Sequence, residues 1–259
     1  MRETLPTQIY SVSNKGARAE NQDRVWSGEG GILAVADGMG GMEAGGQAAA
    51  LAIDAVRRYD CAGSPRESLI RVFQEANREI WTYGRANCLV NGIGTTLVVC
   101  SMSETRYLVA NAGDSRCYYI NNFEARQITE DHSRVQEMVR VGAMSSQAAR
   151  QSPFRNELTN CLGEPNDIRV DIFPRGNHWG VIDEDCVLLL CSDGVHGWAA
   201  DGDIYRTLHS AANLKAGCDA LVDLALKNGS TDNASVVAAE FGHLRRRRPT
   251  ILGRWRRGG

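Results

Sequence analysis

Four aspartates in this chain stand at the ends of apolar runs, each beside a residue that turns the backbone. Asp37 follows ILAVA and opens Asp37-Gly38-Met39-Gly40-Gly41. Asp114 follows YLVANAG, Asp193 follows VLLLCS and precedes Gly194, and Asp232 precedes Asn233 and the run ASVVAAEF. A carboxylate at a strand end is held by the sheet yet left open to solvent. Several converging there make an oxygen-rich pocket for a hard cation such as Mg²⁺ or Mn²⁺. The chemistry this implies is metal-dependent hydrolysis. Upstream, Arg18-Ala19-Glu20-Asn21-Gln22-Asp23 adds two more candidates. Arg18 offers a planar fork of donors for phosphate oxygens, and Asp23 can bind a metal directly or through its water.

Each piece taken alone has a plainer reading. Asp-Gly is common at turns, and a charged stretch such as RAENQD is usually a solvated loop. A dinucleotide-binding loop is a poor alternative, because GxGxxG spacing from Gly38 needs glycine at the position of Glu43.

The elements that must position these residues follow from hydrophobic pattern. Strand-like runs occur at Ile32–Ala36, Thr95–Cys100, Tyr107–Ala110, Cys117–Ile120, Val187–Cys191 and Ala234–Glu240. SMSETR between the second and third reads as a hairpin turn. Strands this close leave no room for crossover helices and predict antiparallel pairing. Helices are expected over Gly46–Tyr59, from the capping box Ser64-Pro65-Arg66-Glu67 to about Tyr83, from the capping box at Ser133 to Gly142, and over Asp203–Ala212 and Lys215–Lys227. Residues 143–180, with Pro153, Pro165 and Pro174, are the least regular part, and such a segment is usually functional or mobile. One α+β domain is expected.

Composition sets outer bounds. The net charge of −2 includes seven arginines in the last fifteen residues, so the body is distinctly acidic. That disfavours nonspecific nucleic-acid binding and suits a cation site. No run approaches the ~18 apolar residues of a transmembrane helix, and the start lacks a secretory h-region. The eight cysteines form no CxxC pair and are read as reduced, mostly buried thiols of a cytoplasmic protein.

Taken together and in order, RAENQD, AVADGMGG, GIGTTLVV, NAGDSR, ITEDHS, LLLCSDG and TDNASVV resemble the metal-dependent protein phosphatases of the type 2C (PPM) family in their compact bacterial form. The resemblance covers roughly 12–241. It implies a four-layer α-β-β-α sandwich of two antiparallel sheets flanked by helices, with two or three Mn²⁺ or Mg²⁺ ions at one end. It further implies that Asp37 bridges two metals, that the Gly38 carbonyl binds the second, and that Asp193 and Asp232 bind the first. On the same resemblance Asp114 and Asp193 would hold a third, Asp23 would act through water, Arg18 would clamp the substrate phosphate, and Asn233 would shape the Asp232 turn. Metal-activated hydroxide would then attack phosphoserine or phosphothreonine in line, with no protein nucleophile.

Two departures stand out. Gln22 replaces a frequent Glu, and Met39 stands where animal relatives carry a His general acid. His196 is a weak substitute for that acid, and His132 and His178 are weaker. The expected organisation is one catalytic domain over 1–243, with a flap at about 143–165 whose Arg150 and Arg155 face acidic or phosphorylated substrate segments. An Arg-rich tail over 244–259 is expected to be disordered. Phosphoprotein substrates of a cognate bacterial kinase and a monomeric state are expected, without specific nucleic-acid partners. The rival reading is a catalytically silent binding module on the same fold.

Overall fold

The computed structural model describes residues 6–28, 30–40, 44–60, 63–89, 92–242 and 244. Its apolar runs form two antiparallel sheets. The first, in the order β1-β12-β11-β7-β8, joins β1 (Gln8–Asn14), β12 (Ala234–Phe241), β11 (Cys186–Cys191), β7 (Arg116–Asn121) and β8 (Ala125–Gln127). The second runs β10-β6-β5-β3-β2, from β10 (Gly180–Val181) through β6 (Arg106–Ala112), β5 (Leu97–Ser103) and β3 (Ile32–Met39) to β2 (Asp23–Gly28). Short β4 (Gly94–Thr95) pairs with β3, and β9 (Asp171–Phe173) with β6.

Period-two alternation divides the strands between three cores. Leu33, Val35, Val98, Leu188, Leu190 and Val237 meet between the sheets. Ala34, Ala36, Val99 and Ala110 face α1 (Ala44–Arg57) and α2 (Pro65–Ala86). Val187, Leu189, Val236 and Ala238 face α5 (Asp193–His196), α6 (Asp201–Ser210) and α7 (Leu214–Lys227). The result is helix, sheet, sheet, helix. Sheets covered on both faces need near-continuous apolar strands, which is why the runs read so clearly. Leu188 is fully buried between the sheets, so Leu188→Ala should cost about 2–5 kcal/mol, read as a lower urea midpoint with an unchanged m-value.

Both capping boxes cap helices. Ser64 Oγ accepts from the Glu67 N–H ahead of Pro65, and Ser133 Oγ accepts from the Gln136 N–H at the start of α3 (Arg134–Arg140). Several boundaries differ from expectation. β3 runs on through Asp37 to Met39, β4 and β5 break at Thr96, and α2 reaches Ala86. The segment read as irregular contains a short helix, α4 (Ser146–Gln151), with Ser145 as its cap. It is tied to the body by bridges Ser133↔Leu158 and Thr95↔Leu162. Arg134 supports it from below, 2.9 Å from Glu157 and stacked 4.6 Å over Phe154. β1 and β2, which carry alternating or polar residues, had no apolar run to announce them. Of the cysteines, Cys88 is exposed, Cys161 is half-buried and five others are buried free thiols; Cys61, Gly41 and the tail from Arg245 lie outside the described residues.

Candidate metal centre

The antiparallel registers bring the aspartates to one end of the sandwich. Asp23, at the start of β2, pairs directly with Asp37 near the end of β3. Asp232 lies two residues before β12, and Asp193 lies two residues past the end of β11, to which β12 is paired. Asp114 lies two residues before β7, whose Arg116 pairs with Cys191 at the end of β11. Arg18, Asp37, Gly38, Asp114, Asp193 and Asp232 all line one cavity of about 830 Å³. Asp23 stands behind that wall, only 2% exposed.

Tight backbone packing holds this end in place. A Cβ at Gly38 would collide with the Gly45 carbonyl at the start of α1, so glycine is what lets helix and strand touch here. Gly113 sits at φ +113°, and a Cβ there would come within 2.6 Å of the Thr96 side chain. Thr95 and Thr96 pin Asp37 from the next strand. Thr95 Oγ1 and the Thr96 N–H both donate to the Asp37 carbonyl at 2.9 Å, and the Asp37 N–H donates to Thr96 Oγ1 at 3.1 Å. Ser192 donates to Asp23 Oδ2 at 2.8 Å and accepts from the Ser235 N–H at 3.0 Å. These hydroxyls were quoted in the motifs but not picked out as supports; small polar residues flanking an aspartate were the available signal.

Asn233 does more than shape a turn. Its Oδ1 accepts from the Gln22 N–H at 2.7 Å, and its amide donates to the carbonyls of Lys15 and Glu20 at 2.9 and 3.0 Å. It therefore fastens the loop bearing Arg18 to the Asp232 turn. Arg18 itself bonds Asp232 Oδ2 at 2.7 Å, with 60% of its side chain exposed.

The electrostatics are those of crowded like charges. Burial first, then the neighbouring aspartates, raises Asp37 well above the usual carboxylate range. Asp114 is raised likewise, by burial and then Asp193. Asp23 is pushed up to about 6 by burial, partly offset by bonds from Ser235 and Ser192. Asp193 also rises to about 6, through burial and then Asp232, against a hydrogen bond with Asp37 and the charge of Arg18. Among the described residues no three acidic, histidine or cysteine side chains close into a coordination cage. Instead Arg18 covers Asp232, and Asp37 and Asp193 bond to each other.

The donor set fits a hard divalent cation. It consists of carboxylate and carbonyl oxygens, without imidazole or thiolate. The buried Asp23 Oδ1 has no hydrogen-bond partner, which is costly unless positive charge or water answers it.

No described histidine lines the cavity that gathers the aspartates. His196 is 8% exposed, its Nε2 bonds the Asp114 carbonyl at 3.0 Å, and burial together with Arg116 holds it near pKa 3. A donor so engaged and so weakly basic is not poised as a general acid. His132 is buried and accepts the Gly113 N–H at Nδ1, and His178 is on the surface. Met39 lines the cavity and has no proton to donate. A second hollow of about 390 Å³ adjoins the first, sharing Arg18, Asp114 and Asp193 and reaching Arg150 and Arg155 on the bridged segment. Arg150 also lies 3.8 Å from Asp201.

Comparison with known proteins agrees with this architecture. The family model described as Protein phosphatase 2C matches residues 18–234. The chain is 35% identical over 216 residues to the serine/threonine phosphatase stp of Listeria monocytogenes, covering 81% of this chain and 84% of that one. It superposes on the crystal structure of the Mycobacterium tuberculosis serine/threonine phosphatase PstP/Ppp with a TM-score of 0.81 at 29% identity, over 91% of this chain and 99% of that one. The catalytic domain of PstP in complex with two manganese ions gives a TM-score of 0.78 at 28% identity, over 90% and 97% of the two chains. With a family match spanning most of its length and a relative this similar, the chain belongs to the protein phosphatase 2C family.

Proposed function

We propose that this chain is a metal-dependent protein serine/threonine phosphatase that hydrolyses phosphoserine and phosphothreonine using two Mn²⁺ or Mg²⁺ ions, with a third site beside them. The observation that carries the proposal is the gathering of Asp37, Asp114, Asp193 and Asp232 on one cavity wall, with Asp37 raised by burial and by the charges of the other three. The phosphatases named among its relatives support it, as does the manganese held by PstP.

In this reading Asp37, the Gly38 carbonyl, Asp193 and Asp232 would hold two cations, Asp114 and Asp193 would hold a third, and Asp23 would act through water. Bound there, divalent ions supply positive charge that lowers the pKa of water and polarises phosphoryl oxygens. The protein's own contribution is placement. Thr95 and Thr96 immobilise Asp37, Ser192 orients Asp23, and Asn233 fixes the loop of Arg18. The exposed Arg18–Asp232 pair is cheap to open, which frees the guanidinium for phosphate oxygens.

The proposal extends to a catalytic domain over 1–243 whose flap at about 143–165 borders the substrate path. It extends also to a cytoplasmic monomer opposing a serine/threonine kinase. No helix among the described residues is long and apolar enough to cross a membrane. A silent binding module is disfavoured, because repelling carboxylates at the floor of a cavity destabilise a fold that gains nothing from them.

The test is release of phosphate from a phosphothreonine peptide. Mn²⁺ should support turnover, EDTA should abolish it, and added Mn²⁺ should restore it. Turnover indifferent to EDTA sinks the metal mechanism; no turnover in any metal favours the binding module.

A further inference from the structure

Asp114 and Asp193 lie just beyond the point where the ladder between β7 and β11 stops. The last paired residues of β7 and β11 are Arg116↔Cys191. Continuing that register places Asp114 opposite Asp193, yet β7 begins only at Arg116 and β11 ends at Cys191. The two carboxylates repel, each raised by burial and Asp114 further by Asp193. Ser115 and Ser192, at the intervening positions, are directed to other partners, Thr96 Oγ1 at 2.7 Å and Asp23 Oδ2 at 2.8 Å.

One side chain links the two segments beyond that point. His196 ends the single-turn helix that Asp193 begins, and its ring Nε2 bonds the backbone carbonyl of Asp114 at 3.0 Å. A carbonyl only accepts, so Nε2 carries the proton and is the donor. The ring is 8% exposed, in a buried setting bordered by Arg116 and Asp131, which hold each other in a paired bridge of 2.7 Å. It cannot leave without stranding that donor.

We propose that His196 is a positioning residue: its Nε2–H···O=C bond to Asp114 replaces the missing ladder bond and sets the separation of the Asp114 and Asp193 carboxylates, and so the affinity of the divalent cation shared between them. The inference rests on the assignment of those two aspartates as cation ligands. Groups that orient ligands from behind typically change metal affinity by 10–100-fold when removed.

The experiment is Mn²⁺ titration by isothermal calorimetry on the full chain, with thermal unfolding of the same samples in EDTA. Three variants are compared with wild type. His196→Leu removes the donor, His196→Gln keeps an N–H on a shorter reach, and Val195→Ala opens a fully buried site on the same helix turn while keeping the His196 donor to Asp114. His196→Leu should weaken the weakest Mn²⁺ step by about tenfold or more and leave the tighter steps within about twofold. His196→Gln should recover most of that loss. Val195→Ala should lower the melting temperature and leave the weakest step unchanged. The proposal is overturned if His196→Leu binds every ion as wild type does. It is equally overturned if His196→Leu weakens all steps together and Val195→Ala does the same at equal loss of stability, for the ring would then be packing only. Failure of the ligand assignment looks different: wild type itself would then show no Mn²⁺ binding.

Discussion

Asp37→Asn should abolish turnover, by about 10²–10³-fold or more, and at the same time raise the melting temperature measured in EDTA. The two effects have one origin. Asp37 is raised well above the usual carboxylate range by burial and then by Asp23, Asp193, Asp114 and Asp232. A carboxylate whose folded pKa lies above its unfolded value stabilises the fold below the unfolded pKa, and that contribution is lost as pH rises through the folded value. For Asp23 and Asp193 this window runs from 3.8 to about 6. Without divalent ions, therefore, the wild-type protein should lose stability on going from pH 4 to pH 7, and Mn²⁺ should return it. Asparagine at position 37 removes one member of the repelling set. Each kcal/mol relieved raises the melting temperature of a domain of this size by about 2–4 °C. An active Asp37→Asn enzyme would remove this residue from the mechanism. A variant that is inactive but also less stable in EDTA would show that Asp37 is a structural residue instead.

Arg18→Ala should reduce kcat/KM for a phosphothreonine peptide by about ten- to a hundredfold, the worth of a lost charge-assisted pair of hydrogen bonds. Most of the loss should appear in KM if the guanidinium binds ground-state phosphate. Arg18→Lys should recover only part, since an ammonium keeps the charge and not the two-pronged geometry. The fold should be indifferent, because the side chain is 60% exposed and its ion pair with Asp232 is open to solvent. Freed of that partner, Asp232 should also accept Mn²⁺ at least as readily, so the peptide KM and the Mn²⁺ requirement move in opposite directions. A parallel loss of both would mean that Arg18 holds the site together rather than binding substrate.

The sandwich was readable because both its sheets are covered on both faces. Leu188, Leu189 and Leu190 announce β11 as a plain apolar run, each facing a different core from its neighbour. β1 was invisible for the opposite reason. As an edge strand pairing with β12, it alternates Tyr10 and Val12 with Ser11 and Ser13, a pattern without an apolar run. The aspartates of the site were legible because each marks where an apolar strand stops. Their mutual placement was not, since it depends on register: Asp23 opposite Asp37 is a fact of β2–β3 pairing that no local pattern contains. The supports were hidden more deeply. Thr96 and Asn233 act through hydrogen bonds to residues 59 and more than 200 positions away. His196 drew notice as a candidate acid because its type suggested proton chemistry; burial and a backbone partner give it a different task.

The bridges Ser133↔Leu158 and Thr95↔Leu162 have an evolutionary consequence. They fix both feet of an excursion that borders the hollow of Arg150 and Arg155. Doubling the length of such a closed loop costs only ~0.6 kcal/mol. The excursion is therefore a replaceable cassette: new target preferences can be tried there by insertion, deletion or exchange while the hydrolytic floor stays as it is.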